Sequence, residues 1–389
     1  MRASSIPRFA SVLACIAVLS CGARTELTVV DPSDASVDTA RTPRVDVAQP
    51  DDRPVDVPTD RPPLTGCRAE AIPRAGPVTN IAAPGRTEPV AVYDPATNRV
   101  IVLGGMVAGH ARTTEMYAVD LETHRVQVLA RTGESGPIPL FAQPVWDAPR
   151  HRAIVIGGVQ IGRASAETLA IVIDGNQATV SRLEDYPAGP VQQVAAAIDA
   201  PRARIIATGG AGIEGRTSAT FALVLATGRW QRILEPTQGP PAVTLRTMAY
   251  DPTTHRMVLT GGTVDDSLSY ALPLEPLGAW QRLDVPLRLL PRTPRVLAWD
   301  DRVCGFLLVS SGGTATRCVH PTRFFRTDAP DDVTSLADID VSALGRFSSA
   351  TLYDPVRERL IFVGGDECTT AGVANDVLVE SLDVVTLVH

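Results

Sequence analysis

Carboxylates, arginines and one histidine that stand outside any repeated pattern lie in short loops beside glycine pairs. Guanidinium and imidazolium groups donate charge-assisted hydrogen bonds, and carboxylates accept them, so this set is suited to a polar ligand. Two carboxylates aimed at one cleft would instead support glycoside cleavage. The candidate ligand-binding residues are His110, Arg112, Arg163, Glu214, Arg216, Asp265, Asp266, Asp366 and Glu367.

Several other chemistries lack the residues that they need. The sequence has no GxSxG, HExxH or Walker pattern. None of its 36 basic residues is a lysine, which excludes a Schiff-base or general-base lysine. No cysteines are spaced as CxxC, so no metal site and no cofactor are expected. The net charge of −7 indicates no nucleic-acid partner.

A second set of charged residues repeats along the chain. An aspartate recurs six times, and an arginine follows five residues later in five of the copies. A catalytic pair would occur once, so we interpret this pair as a scaffold device that caps a turn, and His151 and His255 as occupants of one equivalent turn position. The repeated residues are Asp94, Asp147, Asp199, Asp251, Asp300 and Asp354, with Arg99, Arg152, Arg204, Arg256 and Arg359.

These residues belong to six similar segments that each predict a β-hairpin. An apolar run leads into Asp and a turn, returns as a second apolar run, and ends in Gly-Gly. A return strand that is apolar throughout is typical of a strand covered on both faces, and the glycines fit a tight turn with no room for a Cβ. The segments begin at Tyr93, Trp146, Ile198, Tyr250, Trp299 and Tyr353, at intervals of 53, 52, 52, 49 and 54 residues.

A strand-rich repeat of about 50 residues predicts a six-bladed β-propeller with four strands in each blade. The expected propeller spans 67–389, and its predicted blades cover about 80–131, 140–184, 191–234, 243–284, 293–327 and 346–389.

The outer part of each repeat resembles the kelch repeats of galactose-oxidase-like propellers. Gly104-Gly105 with Tyr117, Gly209-Gly210 with Trp230, and Gly261-Gly262 with Tyr270 and Trp280 match parts of that pattern. The resemblance implies a propeller that serves mainly as a binding scaffold. Copper oxidases of this kind use two histidines and two tyrosines, and this chain offers no matching set outside its turns.

The N-terminus predicts export and a lipid anchor. Residues 1–20 combine arginines with a short apolar run, as in a secretory signal. The residues around Cys21 resemble the lipobox of bacterial lipoproteins, which implies that Cys21 is acylated and that the protein is held in the cell envelope, at the outer membrane. Residues 21–66 are rich in Pro and Asp and predict a disordered linker.

Four cysteines remain for the exported domain, enough for two disulfide bonds. The most economical arrangement pairs Cys304 with Cys318 inside the fifth repeat, and Cys67 with Cys368, which would join the N-terminal entry to the sixth repeat. The sequence alone leaves the connectivity open.

Three functions stay open at this point. The leading hypothesis is a membrane-tethered, monomeric, non-enzymatic module that binds a protein or glycan partner. A carbohydrate-active hydrolase or lyase that uses the loop rim is the alternative, so an enzymatic role is undecided. A structural envelope component is the third.

Overall fold

The structure is a computed structural model, and it describes residues 74–213, 215–262, 268–283, 294–310, 312–314, 317–319, 322–325, 346–369 and 372–388. These residues all belong to one compact unit, Asp56–His389. They form an all-β fold whose few helical turns are of the 3-10 type. Those turns are Ala108–His110, Ala148–Arg150, Ala200–Arg202 and Pro236–Gln238.

Short strands follow one another from Arg74 onward. The first nineteen are β1 (Arg74–Ala82), β2 (Ala91–Asp94), β3 (Arg99–Leu103), β4 (Met106–Val107), β5 (Ala111–Arg112), β6 (Met116–Asp120), β7 (Val126–Gly133), β8 (Gln143–Asp147), β9 (Arg152–Ile156), β10 (Val159–Gln160), β11 (Arg163–Ala164), β12 (Thr168–Asp174), β13 (Gln177–Arg182), β14 (Ala195–Asp199), β15 (Arg204–Thr208), β16 (Ala211–Gly212), β17 (Gly215–Arg216), β18 (Thr220–Val224) and β19 (Arg229–Leu234).

The pattern continues in the second part of the chain. Its strands are β20 (Arg246–Asp251), β21 (Arg256–Gly261), β22 (Ser269–Pro273), β23 (Gln281–Leu283), β24 (Pro294–Asp300), β25 (Gly305–Ser310), β26 (Gly312–Thr314), β27 (Arg317–Val319), β28 (Thr322–Phe325), β29 (Arg346–Phe347), β30 (Ala350–Asp354), β31 (Arg359–Val363), β32 (Asp366–Thr369), β33 (Gly372–Leu378) and β34 (Ser381–Val388).

Most of these strands assemble into antiparallel sheets. Two sheets have the simple order β14-β15-β18-β19 and β20-β21-β22-β23. The fifth repeat forms a three-stranded sheet, β24-β25-β28. The first two repeats share one eight-stranded sheet, β2-β3-β6-β7-β13-β12-β9-β8, because β7 and β13 pair in parallel. Short two-stranded hairpins, such as β4-β5, β10-β11 and β16-β17, project from the main sheets.

The first strands of the six repeats pack against one another in a closed ring. β2 lies against β8, β8 against β14, β14 against β20, β20 against β24, β24 against β30, and β30 against β2. All six strands line one cavity.

The second strand of each repeat is the most deeply buried element. Ile101, Ile154, Val258 and Ile361 are all 0% exposed, and their neighbours on both faces are apolar. Buried clusters continue from one repeat to the next, for example from Val92 and Ile101 in the first repeat to Val155 in the second. The prediction that these return strands are covered on both faces is confirmed.

The repeated aspartate and arginine face each other across the hairpin, as predicted. Asp147 pairs with Arg152 in register, and Asp199 pairs with Arg204. In both pairs the arginine Nε lies 2.8 Å from the aspartate Oδ2, and the aspartate is 0% exposed. Arg256 with Asp251 and Arg359 with Asp354 form the same ion pair, at 3.2 and 2.6 Å.

The first hairpin departs from this pattern. Arg99 faces Asp94 in register, but its guanidinium donates to the Thr97 hydroxyl and to the Gly175 carbonyl. The Asp94 carboxylate accepts instead from Ala96 N–H and the Thr97 hydroxyl. The predicted side-chain pair is therefore wrong at this hairpin, because the Arg99 guanidinium reaches the Gly175 carbonyl oxygen of the second repeat instead.

The turn position of the histidines is confirmed as equivalent. His151 and His255 are left-handed, with φ of 46° and 51°. Asn98, Ala203, Cys304 and Glu358 occupy the same position, also with positive φ.

The glycine pairs follow the second strands at the other end of each hairpin, and both members have positive φ in five of the six repeats. A Cβ on Gly158 would lie 2.6 Å from the Leu140 carbonyl oxygen, and one on Gly365 would lie 2.6 Å from the Phe347 carbonyl oxygen. The prediction that a Cβ does not fit there is confirmed. We call this end of the unit the glycine rim, and the end that carries the six aspartates the turn rim.

The N-terminal strand belongs to the last sheet. β1 pairs antiparallel with β34, from Arg74 opposite Val388 to Ala82 opposite Ser381, and the sheet order is β1-β34-β31-β30. The predicted first blade, from residue 80, therefore wrongly included the end of β1. The two ends of the unit are held together by main-chain hydrogen bonds, which sequence spacing does not reveal.

Several predicted features lie outside the described residues. They are the signal segment 1–20, Cys21, the linker 21–66, Cys67, and the side chains of Cys318 and Cys368. Among the described residues no helix is long and apolar enough to cross a membrane.

Candidate functional site at the glycine rim

The arginines predicted to bind a ligand lie on equivalent hairpins of the glycine rim. Arg112 pairs with Met106, Arg163 with Gln160, and Arg216 with Ala211. They therefore repeat with the scaffold, contrary to the prediction that this set stands outside the repeat. The sequence signal was present, because each arginine follows its glycine pair by five to seven residues.

The Arg112 side chain stabilises the fold through hydrogen bonds to main-chain carbonyl groups. Its Nη2 donates to the Ile138 and Val159 carbonyl oxygens at 3.1 and 2.8 Å, which joins the first and second repeats. Burial lowers the pKa of the Arg112 guanidinium. His110, half-buried with φ of 58°, ends the 3-10 turn of the same hairpin.

Two neighbouring hairpins carry exposed apolar tips beside exposed arginines. Ile161 is 89% exposed and Ile213 is 87% exposed. Arg163 and Arg216 are exposed next to them. These hairpins are the part of the glycine rim best placed to contact a large partner.

The acidic candidates do not meet in one cleft within the described part of the chain. Asp366 is buried, and its Oδ2 accepts a hydrogen bond from the Thr87 hydroxyl at 2.8 Å, so it joins the last repeat to the first. Glu367 is exposed and lies opposite Arg346 in the strand register of β29 and β32, while the Arg346 guanidinium pairs with Asp383. Glu214, Asp265 and Asp266 lie outside the described residues. No group of three or more His, Cys, Asp or Glu suited to a metal ion occurs among the described residues.

A central cavity of about 570 Å³ was missed by the sequence reasoning. One residue from each of five repeats surrounds its mouth at the glycine rim, six positions before the repeated aspartate, and all five are left-handed, with φ of 49–60°. Main-chain hydrogen bonds link members of this set: Glu88 N–H donates to Ser348 at 3.0 Å, and Gln193 N–H donates to Phe141 at 3.2 Å. We call this set the mouth ring; its members are Glu88, Phe141, Gln193, Leu245 and Ser348.

The mouth ring is chemically varied although its backbone repeats. It presents a carboxylate, an aromatic ring, an amide, an aliphatic chain and a hydroxyl. The constant offset from the repeated aspartate was a signal that could have identified these residues from the sequence. Their placement around one opening depends on the ring of inner strands, which spacing alone does not show.

The cavity wall combines an apolar lining with unpaired polar atoms. Val92, Met248 and Ala249 are among its apolar residues. The Oγ of Ser349 and the Oγ1 of Thr351 are buried with no hydrogen-bond partner among the described residues. Such groups favour a ligand or water that hydrogen bonds to them.

Arg246, also in the lining, is engaged by the fold. Its guanidinium donates to the Gly261 and Pro241 carbonyl oxygens at 3.3 and 3.0 Å. It also lies 5.1 Å from the centre of the Tyr270 ring. The Arg246 guanidinium therefore stabilises the wall of the central cavity.

At the turn rim, tyrosines of the cavity lining belong to a polar network. Tyr93 Oη donates to Asp354 at 2.8 Å and accepts from Arg357 at 2.9 Å, while Tyr353 Oη donates to Asp300 at 2.7 Å. Burial, followed by the hydrogen bond to Asp354, raises the pKa of Tyr93 to about 12. These phenols stay protonated near neutral pH and link neighbouring repeats.

Comparison with known proteins identified no family for this chain. No protein-family model matches the chain, and no curated protein is significantly similar to it.

Proposed function

We propose that this chain is a kelch-type, six-bladed β-propeller, tethered by lipid at Cys21 to the outer membrane, that binds a protein or glycan partner through its glycine rim. The ring of six inner strands around one cavity supports the architecture. The placement of β1 in the last sheet supports closure of that ring.

The contrast between the two rims carries the functional proposal. The turn rim repeats one aspartate at equivalent positions, and those carboxylates are buried and engaged by arginine, tyrosine or turn residues. The mouth ring places different side chains at equivalent positions, and the neighbouring hairpin tips add exposed isoleucines beside exposed arginines. Variation on a constant frame is typical of recognition surfaces, since loops carry function while the scaffold positions them.

The experiment is a binding assay with matched variants on the two rims. The exported protein is probed against a glycan array and by crosslinking in envelope extract. We expect Arg163→Ala with Arg216→Ala, and separately Glu88→Gln, to weaken capture at least tenfold. The controls are Arg229→Ala and Glu122→Gln, which alter exposed residues near the turn rim.

Equal loss in the control variants would contradict recognition through the glycine rim. Capture of neither a glycan nor a protein would favour a structural envelope role. Cleavage of a captured glycan would replace the binding function with a carbohydrate-active enzyme.

A further inference from the structure

The cysteines lie at opposite ends of the fifth sheet, which changes the expected disulfide pattern. Cys304 is in the turn before β25, at the turn rim. Cys318 lies in β27 and pairs in register with Gly313, beyond the far end of β25. Six strand residues at about 3.3 Å each separate these ends, whereas a disulfide needs Cα atoms within about 7 Å. The expected Cys304–Cys318 pair is therefore wrong.

Cys318 and Cys368 lie on strands that meet. β27 and β32 belong to the glycine-rim hairpins of the fifth and sixth repeats, and Cα atoms of β27 approach those of β32 and of β33 within 8 Å. Cys368 is in β32, opposite Val373. A bond between Cys318 and Cys368 would join the two repeats at the glycine rim.

Cys304 is itself disulfide-bonded, and its partner is not among the described side chains. β1 begins beside the turn rim, since Arg74 pairs with Val388, and Leu387 N–H donates to the Glu358 carbonyl oxygen at 2.7 Å. The Glu358 carboxylate forms an ion pair with Arg302, two residues from Cys304. Cys67 precedes Arg74 by seven residues, which span up to about 23 Å when extended.

We propose that the protein contains two disulfide bonds, Cys318–Cys368 and Cys67–Cys304, one at each rim of the fifth repeat. Each bond forms when two thiols lose two protons and two electrons to a disulfide-containing oxidant, which becomes a dithiol. The proposal does not depend on which ligand the protein binds.

The proposed disulfide bonds stabilise the fifth repeat, which has less internal support than the others. Its sheet has three described strands, and Gly305 stands where the other repeats carry the arginine that faces the aspartate. Two covalent links replace support that the other repeats obtain from a fourth strand and, in four of them, from the ion pair.

The test is disulfide mapping of the full chain, exported into an oxidising compartment and alkylated before unfolding. Trypsin cuts after arginine, so cleavage at Arg68, Arg302, Arg317, Arg323 and Arg359 places the four cysteines on separate peptides. Without reductant we expect peptide 318–323 linked to 360–389, and peptide 303–317 linked to the peptide that ends at Arg68. Linkage of 303–317 to 318–323, or four free thiols, would overturn the proposal.

A thermal series on variants gives a second readout. Cys318→Ser, Cys368→Ser and the double variant should lower Tm by the same amount, since each removes one bond. Cys304→Ser combined with Cys318→Ser should lower Tm by the sum of the single effects. Additive losses for Cys318→Ser and Cys368→Ser would contradict their pairing.

Discussion

Tyrosine hydroxyls connect neighbouring repeats at the turn rim. Tyr93 Oη lies between Asp354 and Arg357, so one phenol links the first repeat to the last. Removing this hydroxyl leaves a buried carboxylate with fewer donors. Local contacts within a hairpin do not supply this link.

We predict that Tyr93→Phe lowers the free energy of unfolding by about 1–3 kcal/mol, because it removes a buried hydrogen bond to the Asp354 carboxylate. The matched control is Tyr186→Phe, since Tyr186 Oη is buried with no hydrogen-bond partner among the described residues. Its removal should be neutral or stabilising. Urea unfolding measures both, and an equal loss in the two variants would show that ring packing, not the hydroxyl, is responsible.

The pH dependence of stability follows from the same phenol. Its pKa rises from 10.0 to about 12 on folding, so the folded state keeps a proton that the unfolded state releases. This stability is fully present below pH 10 and is lost as the pH rises toward 12. In Tyr93→Phe, we expect the fall between those values to be shallower by up to about 1.4 kcal/mol per pH unit, measured by urea unfolding at each pH. An unchanged slope would contradict the assignment.

At the scale of the element, each hairpin depends on a close main-chain approach at the glycine rim. Gly158 has φ of 103°, and a Cβ there would meet the Leu140 carbonyl oxygen. Gly215, in the β16-β17 hairpin, has nearly the same φ, 105°, and open space around its Cβ position.

We predict that Gly158→Ala destabilises the protein by about 1–3 kcal/mol more than Gly215→Ala. Both positions have almost the same φ, so the difference isolates the steric clash. Thermal unfolding measures both. Equal losses would mean that the glycine pair is needed only for its φ.

At the scale of the whole molecule, β1 joins the start of the unit to its last sheet. Ile81 is 2% exposed and packs into the cluster shared by the first and last repeats, whereas Val78 in the same strand is 51% exposed. We predict that Ile81→Ala costs about 2–4 kcal/mol, while Val78→Ala changes stability by less than about 0.5 kcal/mol. A negligible effect of Ile81→Ala on unfolding would show that β1 does not hold the ends together.

The predicted lipid anchor also belongs to the whole molecule. We expect Cys21→Ala to abolish incorporation of labelled fatty acid and to release the protein into the soluble envelope fraction, because acyl chains supply the membrane affinity. Cys15→Ala is the matched control and should leave labelling unchanged. Labelling that persists in Cys21→Ala would contradict acylation at this residue.

Local, repeated features were predictable because their causes lie within a few residues. The Asp147–Arg152 register and the positive φ of Gly157 and Gly158 follow from turn chemistry that recurs along the chain. Arg99 escaped prediction because its guanidinium reaches the Gly175 carbonyl oxygen of the second repeat, a contact that spacing within one hairpin does not reveal.

Long-range placement had to come from the tertiary structure. The sequence by itself determined the all-β class, the six hairpins, the buried return strands and the repeated aspartate turns, since each depends on short-range pattern and burial. Only the fold decided that β1 completes the last sheet, that Cys304 lies far from Cys318, and that Glu88 and Gln193 surround one cavity. Those relations join residues distant along the chain, and they arise from how the sheets pack, not from the spacing within any one repeat.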